Sequence, residues 1–167
     1  MVRWKNAPAK TAPSTPDPAP TIYTNRRDIM SNKAFETPVE IRYRDTDSMG
    51  HVSSPVYYDY MQSAYLEYMH DLLELPKSEK LPHIMVKTSC DYISQALYGD
   101  NLVVCSRVIS FGGKSFEMEH VMHIDDADRR VVANAKSVHV MFDYDKQATY
   151  PVPDAFKEAV ATFQETA

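Results

Sequence analysis

Asp45, Asp47 and His51 fall within one short run, "RYRDTDSMGHVSSPVYYDYM", residues 42–61. Carboxylates and imidazoles are the side chains that serve as general bases and nucleophiles near neutral pH. The run reads as the end of a strand, then turn chemistry, then the start of a helix. A helix N-terminus carries unpaired N–H groups and a partial positive charge. A carboxylate just upstream can work beside those donors, which polarise a carbonyl or hold an oxyanion. That combination suits acyl chemistry, with the carboxylate activating water or attacking directly. The same residue types also build turns and caps. Gly50 permits a positive φ, Pro55 suits the first helical turn, and Ser53 or Ser54 suits its cap. From spacing alone both readings stand.

A second segment, "SFGGKSFEME", residues 110–119, sets Lys114 and Ser115 directly after two glycines. A cation and a hydroxyl at a sheet rim suit a phosphate. A plain hairpin turn with a solvated lysine fits equally well. His120 and His123 form H-x-x-H, but strand alternation points them to opposite faces, so no metal site is expected from that pair. His139 reads as a core or interface residue, and His70 and His83 as surface residues. Cys90 and Cys105 lie in apolar text and read as small buried residues. There is no G-x-S-x-G, no phosphate-binding Gly-rich loop before a helix, and no C-x-x-C, so serine-hydrolase readings have no motif to rest on.

These residues need elements to position them. "VEIRYR", residues 39–44, alternates as a half-buried strand. From Val56 to Leu75, Tyr57, Met61, Ala64, Tyr68, Leu72 and Leu75 recur at spacings of three and four. That predicts a long helix, buried around much of its girth. Four strand-like runs follow: "HIMVKTSCDYIS", "GDNLVVCSRVISF", "KSFEMEHVMHI" and "RRVVANAKSVHVMFDY". The joints "YGDN", "GG" and "DDAD" are turn chemistry, so the last three strands are expected as consecutive antiparallel neighbours. "PVPDAFKEAVATFQ" closes with a short amphipathic helix. The order strand, long helix, four strands predicts an α+β layer pair in which a curved five-stranded antiparallel sheet wraps the helix. A helix this apolar also predicts burial in an oligomer.

Composition narrows the function classes. The 167 residues fit one domain with some tail. "APAKTAPSTPDPAP" holds five of the eleven prolines and almost no large apolar residue. Residues 1–35 are therefore expected as a flexible tail and 36–167 as the folded domain. The net charge of −5 argues against general nucleic-acid binding. No run approaches the roughly 20 apolar residues of a membrane span, and no apolar signal region is present, so no membrane partner and a cytoplasmic location are expected.

"YRDTDSMGHVSSPVYYDYMQSAYLEYM", residues 43–69, resembles the signature of hotdog-fold acyl-CoA thioesterases, the 4-hydroxybenzoyl-CoA thioesterase-like family. Its pattern is Tyr-x-x-Thr-Asp-x-x-Gly-His-Val-x-Asn followed by a tyrosine-containing helix. Tyr43, Thr46, Asp47, Gly50, His51 and Val52 match in register. The resemblance implies a hotdog fold and an acyl-CoA thioesterase acting as a homodimer or homotetramer with interface active sites. It implies no cofactor beyond the coenzyme A of the substrate, and no metal. Asp47 becomes the catalytic carboxylate and Asp45 a turn residue. Ser54 gives its backbone N–H to the thioester oxygen, Tyr57 lines the acyl pocket, and Lys114 and Ser115 meet the phosphates of coenzyme A. The family's asparagine is serine here, at Ser54, and its helix glutamate and arginine positions fall on Gln62 and Tyr65. A hotdog hydratase or dehydratase and a non-catalytic acyl-ligand-binding protein are the rival readings. No role is assigned to His51.

Overall fold

The computed structural model describes residues 34–166. The chain runs through β1 (Phe35–Glu40), a 3-10 turn (Tyr43–Asp45), α1 (Val56–Leu72), β2 (His83–Tyr92), β3 (Asn101–Phe111), β4 (Ser115–Ile124), β5 (Val131–Asp143), β6 (Ala148–Thr149) and α2 (Asp154–Thr166). The sheet order is β1-β3-β4-β5-β2, antiparallel throughout, with the two-residue β6 paired to β5. The expected five strands and long helix are present, and β3, β4 and β5 are sequential neighbours. The tail expected over residues 1–35 lies outside the described residues except for its last two, because β1 begins at Phe35.

One face of the sheet packs on α1. Phe116, Met118, His120, Met122 and Ile124 of β4 point inward and are buried, as their alternation requires. On α1, Tyr57, Tyr60, Met61, Ala64, Tyr65, Tyr68, Met69, His70 and Leu72 are buried. That stripe is wide enough to leave only Asp59, Gln62, Ser63, Leu66 and Asp71 exposed on α1. The first half of α1 packs with Leu102, Val104, Met122 and Val132. The second half packs with Phe116, Met118, Met141 and the α2 residues Phe156 and Val160.

Three expectations are corrected. The first strand covers Phe35–Glu40 rather than 39–44. Ile41 is still buried, but Tyr43 is 79% exposed. The Asp45 carboxylate accepts the Arg42 N–H at 2.9 Å and winds the chain into a 3-10 turn before the strand pattern is complete. Second, α1 ends at Leu72 rather than Leu75. Glu74 takes φ 52°, Leu75 N–H reaches the His70 carbonyl at 3.0 Å, and Glu74 N–H reaches Asp71 at 3.2 Å. This is a Schellman stop made without glycine. Third, His70 and His83 are buried. His70 Nδ1 lies 3.1 Å from the Leu75 carbonyl within that stop. His83 packs edge-on against Phe116 at a 5.0 Å centroid distance. His139 and Cys105 are buried, as expected, but Cys90 is only half-buried, and both cysteines are free.

The register fixes two ends of the sheet. Ile84 of β2 and Ser115 of β4 both pair with Val140. Tyr92 of β2 and Met122 of β4 both pair with Ala133. One end therefore carries the start of β2 and the β3–β4 hairpin, and the other carries Tyr92. Of the two edges, β2 is the longer, with ten residues.

Candidate active site

The chain between β1 and α1 is built around its two aspartates, which do different things. Asp45 points inward. Its Oδ2 accepts hydrogen bonds from Arg42 N–H and Tyr60 Oη, both at 2.9 Å, and its carbonyl accepts Ser53 N–H at 2.9 Å. Asp45 thus ties the loop to the second turn of α1 through Tyr60, the structural role expected of it.

Asp47 points outward and is exposed. Its N–H donates to the His51 carbonyl at 2.8 Å, and its carbonyl accepts Gly50 N–H at 3.0 Å. Its Oδ1 accepts Met49 N–H at 2.8 Å and His51 N–H at 3.2 Å. Oδ2 accepts no hydrogen bond from any described residue. The loop closes because Gly50 sits at φ 80°, a conformation that only glycine adopts without cost. His51, left without a role by the sequence, works through its backbone: both its N–H and its carbonyl bind Asp47. It also bridges to Leu97, and Val52 N–H donates to the Ala96 carbonyl at 2.9 Å. The loop is thereby held on the connection into β3.

The helix begins without a side-chain cap. Pro55 is the N-cap residue and neither serine caps α1 through its hydroxyl. Val56 N–H takes the Ser53 carbonyl instead, at 2.9 Å, and the Ser54 carbonyl accepts Tyr92 Oη at 3.0 Å. Ser54 is exposed at the helix N-terminus, on the same stretch of chain as Asp47. Tyr57 is 4% exposed. Its ring lies against Tyr92 at 5.3 Å and Tyr60 at 6.3 Å, and burial pushes its hydroxyl above the ordinary tyrosine range. Beside the loop, a depression of about 300 Å³ is lined by Arg42, Arg44, Asp45, Asp59, Tyr60 and Ser63 among others.

Lys114 and Ser115 lie elsewhere. Gly112 N–H donates to the Ser115 carbonyl at 2.7 Å, and Met141 N–H to the Lys114 carbonyl at 2.9 Å. Lys114 Nζ, exposed, donates to Thr149 Oγ1 at 3.1 Å. Gly112 has no positive φ. A Cβ there would fall 2.6 Å from Ser115 Oγ, so any larger residue would make that hydroxyl shift. The Asp47 loop joins the chain just before β3 and Lys114 follows just after it. The eleven residues of β3, at about 3.3 Å each, separate them by about 35 Å. Within one chain, then, Asp47, Ser54 and Tyr57 lie on one short stretch of sequence, while Lys114 and Ser115 are at the far end of the sheet.

Two polar groupings escaped the sequence. Inside the sheet, Ser106 Oγ lies 2.9 Å from His120 Nδ1, His120 Nε2 lies 3.0 Å from Ser137 Oγ, and Ser137 Oγ lies 2.8 Å from His139 Nε2. Burial lowers His120 and His139 to about 3 and His83 to about 4. On the outer face, Glu36, Cys105 and His123 gather around the Arg129 guanidinium. The residues of each grouping come from three or four separated segments, and no spacing within one segment announces them.

The family model for the thioesterase-like superfamily matches residues 41–160. The chain is 24% identical to the acyl-CoA thioester hydrolase YbgC of Escherichia coli over 139 residues, which cover 81% of this chain and all of that protein. Among solved structures, a thioesterase complexed with coenzyme A and Zn from Thermus thermophilus aligns at TM-score 0.69 and 26% identity, over 79% of this chain and 94% of its own. A thioesterase-superfamily protein from Jannaschia aligns at TM-score 0.72 and 21% identity, over 83% of this chain and 89% of its own.

Proposed function

This chain belongs to the thioesterase-like superfamily, and from that membership we propose that it is an acyl-CoA thioesterase, releasing free acid and coenzyme A. The observation that carries the reading is the division of labour between its two aspartates. Asp45 is consumed in fastening the loop to α1, and Asp47 keeps one carboxylate oxygen outward beside the helix N-terminus. Full-length similarity to a hydrolase of acyl-CoA thioesters supports the substrate class.

Asp47 acts on the thioester carbonyl carbon, either by taking a proton from water as it attacks or by attacking itself and being released by water. In both routes a C–O bond forms, the C–S bond breaks, and the thiolate of coenzyme A leaves and takes up a proton. Ser54 N–H holds the developing oxyanion at the positive end of α1. Tyr57 backs Tyr92, and this aromatic pair supports the acyl group. A carboxylate positioned before the helix, with Gln62 on the helix itself, favours hydrolysis over the hydratase reading.

Lys114 and Ser115 bind the phosphates of coenzyme A from a second copy of the chain. Among the described residues no strand pairs with the outer side of the ten-residue β2 edge, and a long free edge is a template for another strand. Two β2 edges joined antiparallel about a two-fold axis set Tyr92 of one chain opposite the start of β2 in the other. The register puts that start at the same end as Ser115. Asp47 of one subunit and the partner's Lys114 then face the same substrate. The cytoplasmic location expected from composition belongs to this reading. Among the described residues no helix is long and apolar enough to cross a membrane.

The test is thiol release from a panel of acyl-CoA thioesters, with Asp47→Asn as control. Asn keeps the Oδ1 acceptor of the turn but loses the charge, so the variant folds normally and turnover drops by about 10²–10⁴. Unchanged turnover in that variant rules Asp47 out as the catalytic carboxylate. Binding of acyl-CoA without hydrolysis by the wild-type chain replaces the thioesterase with the acyl-ligand-binding reading.

A further inference from the structure

The outer face of the sheet carries a second polar site, across the molecule from the β2 edge. Glu36 on β1, Cys105 on β3 and His123 on β4 place a carboxylate oxygen, a sulfur and an imidazole nitrogen within 4.8 Å of one another. Three adjacent strands each contribute one of them, since Glu36 pairs with Cys105 and His123 with Val103 in the ladder. Cys105 and His123 are buried.

The site already holds a cation. Arg129 Nη2 sits 2.6 Å from Glu36 Oε1, 2.7 Å from His123 Nε2 and 3.9 Å from Cys105 Sγ. His123 Nδ1 lies 3.1 Å from the Ile124 carbonyl. These contacts fix its tautomer: Nδ1–H donates to the carbonyl, and the Nε2 lone pair faces Glu36 and Cys105. A ring nitrogen held by a backbone carbonyl, with the other lone pair turned toward a carboxylate and a thiol, is how metal-ligating histidines are oriented. Arg129 belongs to the exposed turn between β4 and β5, takes φ 46°, and has a side chain 46% exposed. The guanidinium can therefore swing out without moving a strand.

We propose that Glu36, Cys105 and His123 form a binding site for a borderline-soft divalent cation, zinc by ligand chemistry, which displaces the Arg129 guanidinium. A sulfur, an imidazole and a carboxylate are the donor types zinc prefers. Ligand atoms of tetrahedral zinc lie roughly 3.3–3.8 Å apart by the usual bond lengths, so the three must close by about 1 Å once Nη2 leaves. On binding, the Cys105 S–H proton goes to solvent and the thiolate sulfur bonds the metal. The fourth position is left to water. Bound metal would clip the β1 edge to β3 and β4 and stabilise the fold by mass action.

The experiment is zinc titration of metal-stripped, untagged full-length protein, read by calorimetry and by the shift in thermal midpoint, with magnesium as control. The expected result is one zinc per chain and a raised midpoint. Arg129→Ala, which removes the competing cation, binds at least tenfold more tightly. Cys105→Ser and His123→Gln lose the binding, and cobalt gives a thiolate charge-transfer band that Cys105→Ser abolishes. Circular dichroism of each variant separates lost binding from lost fold, and Glu36→Gln, at an exposed position, serves where a core variant fails to fold. Absence of zinc binding in both the wild-type chain and Arg129→Ala overturns the site. Zinc uptake that survives Cys105→Ser and His123→Gln marks an adventitious ion elsewhere and overturns it equally.

Discussion

Tyr60 donates its hydroxyl hydrogen to Asp45 Oδ2 at 2.9 Å, across fifteen residues of chain. The tyrosine is 6% exposed. Burial and the neighbouring carboxylate hold its hydroxyl well above the ordinary tyrosine range, so it is a protonated donor at neutral pH. The contact fixes the loop that carries Asp47 against α1.

Tyr60→Phe removes that donor and leaves a largely buried carboxylate with one fewer partner. A hydrogen bond to a charged group contributes about 1.5–3 kcal/mol, so the unfolding free energy from urea titration is expected to fall by an amount within that range, with the midpoint falling accordingly. Because the loop loosens against α1, kcat falls more than KM rises. An unchanged midpoint together with unchanged kcat would show that the contact positions nothing.

Gly50 tests the loop from its other side. A Cβ at Gly50 meets no atom within 4 Å, so space is not the issue; the φ of 80° is. Gly50→Ala is expected to cost roughly 1–2 kcal/mol from the left-handed conformation alone. Gly50→Asn costs less, because asparagine tolerates that region. Activity should follow the same ranking, with Asn above Ala, because the turn at Gly50 sets the direction of the Asp47 carboxylate. A reversed ranking, measured as kcat/KM, would detach the turn from the chemistry.

The buried histidines set the acid limit of stability. His83, His120 and His139 have folded pKa values lowered to about 4, 3 and 3, below the ordinary 6.5. The unfolded chain therefore binds protons that the folded chain refuses. Stability is full above about pH 6.5 and is lost as pH falls from there toward 4, by about 1.4 kcal/mol per histidine per pH unit. Among the described residues neither ring nitrogen of His83 has a hydrogen-bond partner, so His83→Leu removes an unsatisfied group and one of these titrations. Denaturant midpoints across pH 4–7.5 should show the variant flatter by one histidine's slope. A slope equal to that of the wild-type chain would mean that His83 is not buried neutral.

Much of this was legible because it is local. The β4 alternation from Phe116 to Ile124 set the inward face, the spacing from Tyr57 to Leu72 set the helix, and the turn pairs set the antiparallel order. The errors are where a side chain overrode the pattern. Asp45 ended the strand register before Tyr43 by capping a 3-10 turn, and Glu74 stopped α1 in a backbone conformation that sequence assigns to glycine. His70 and His83 read as surface residues because polarity was their only local signal. The polar chain from Ser106 to His139 and the cluster around Arg129 are assembled by strand pairing, which no single segment encodes. Asp45 and Asp47 are separable in sequence only through the family pattern, and in the fold through their partners.

The separation of Asp47 from Lys114 within one chain leads to the sharpest prediction for the site. If each site takes Asp47 from one subunit and the partner's Lys114, defects in the two residues complement. Asp47→Asn alone leaves every site without its carboxylate. Lys114→Ala alone weakens the phosphate contact at every site, costing about 1.5–3 kcal/mol and so at least tenfold in kcat/KM at low substrate. Unfolding the two variants together and refolding them produces heterodimers that hold one site with both defects and one with neither. Random pairing makes half of the dimers mixed, so the preparation should recover roughly one quarter of wild-type turnover at low acyl-CoA. The doubly substituted chain Asp47→Asn/Lys114→Ala, refolded with either single variant, has no intact combination and recovers nothing. Recovery absent from the mixed preparation, in protein that sedimentation shows to be dimeric, would place Lys114 outside the site. Sedimentation as a monomer at full activity would remove the partner from the mechanism altogether.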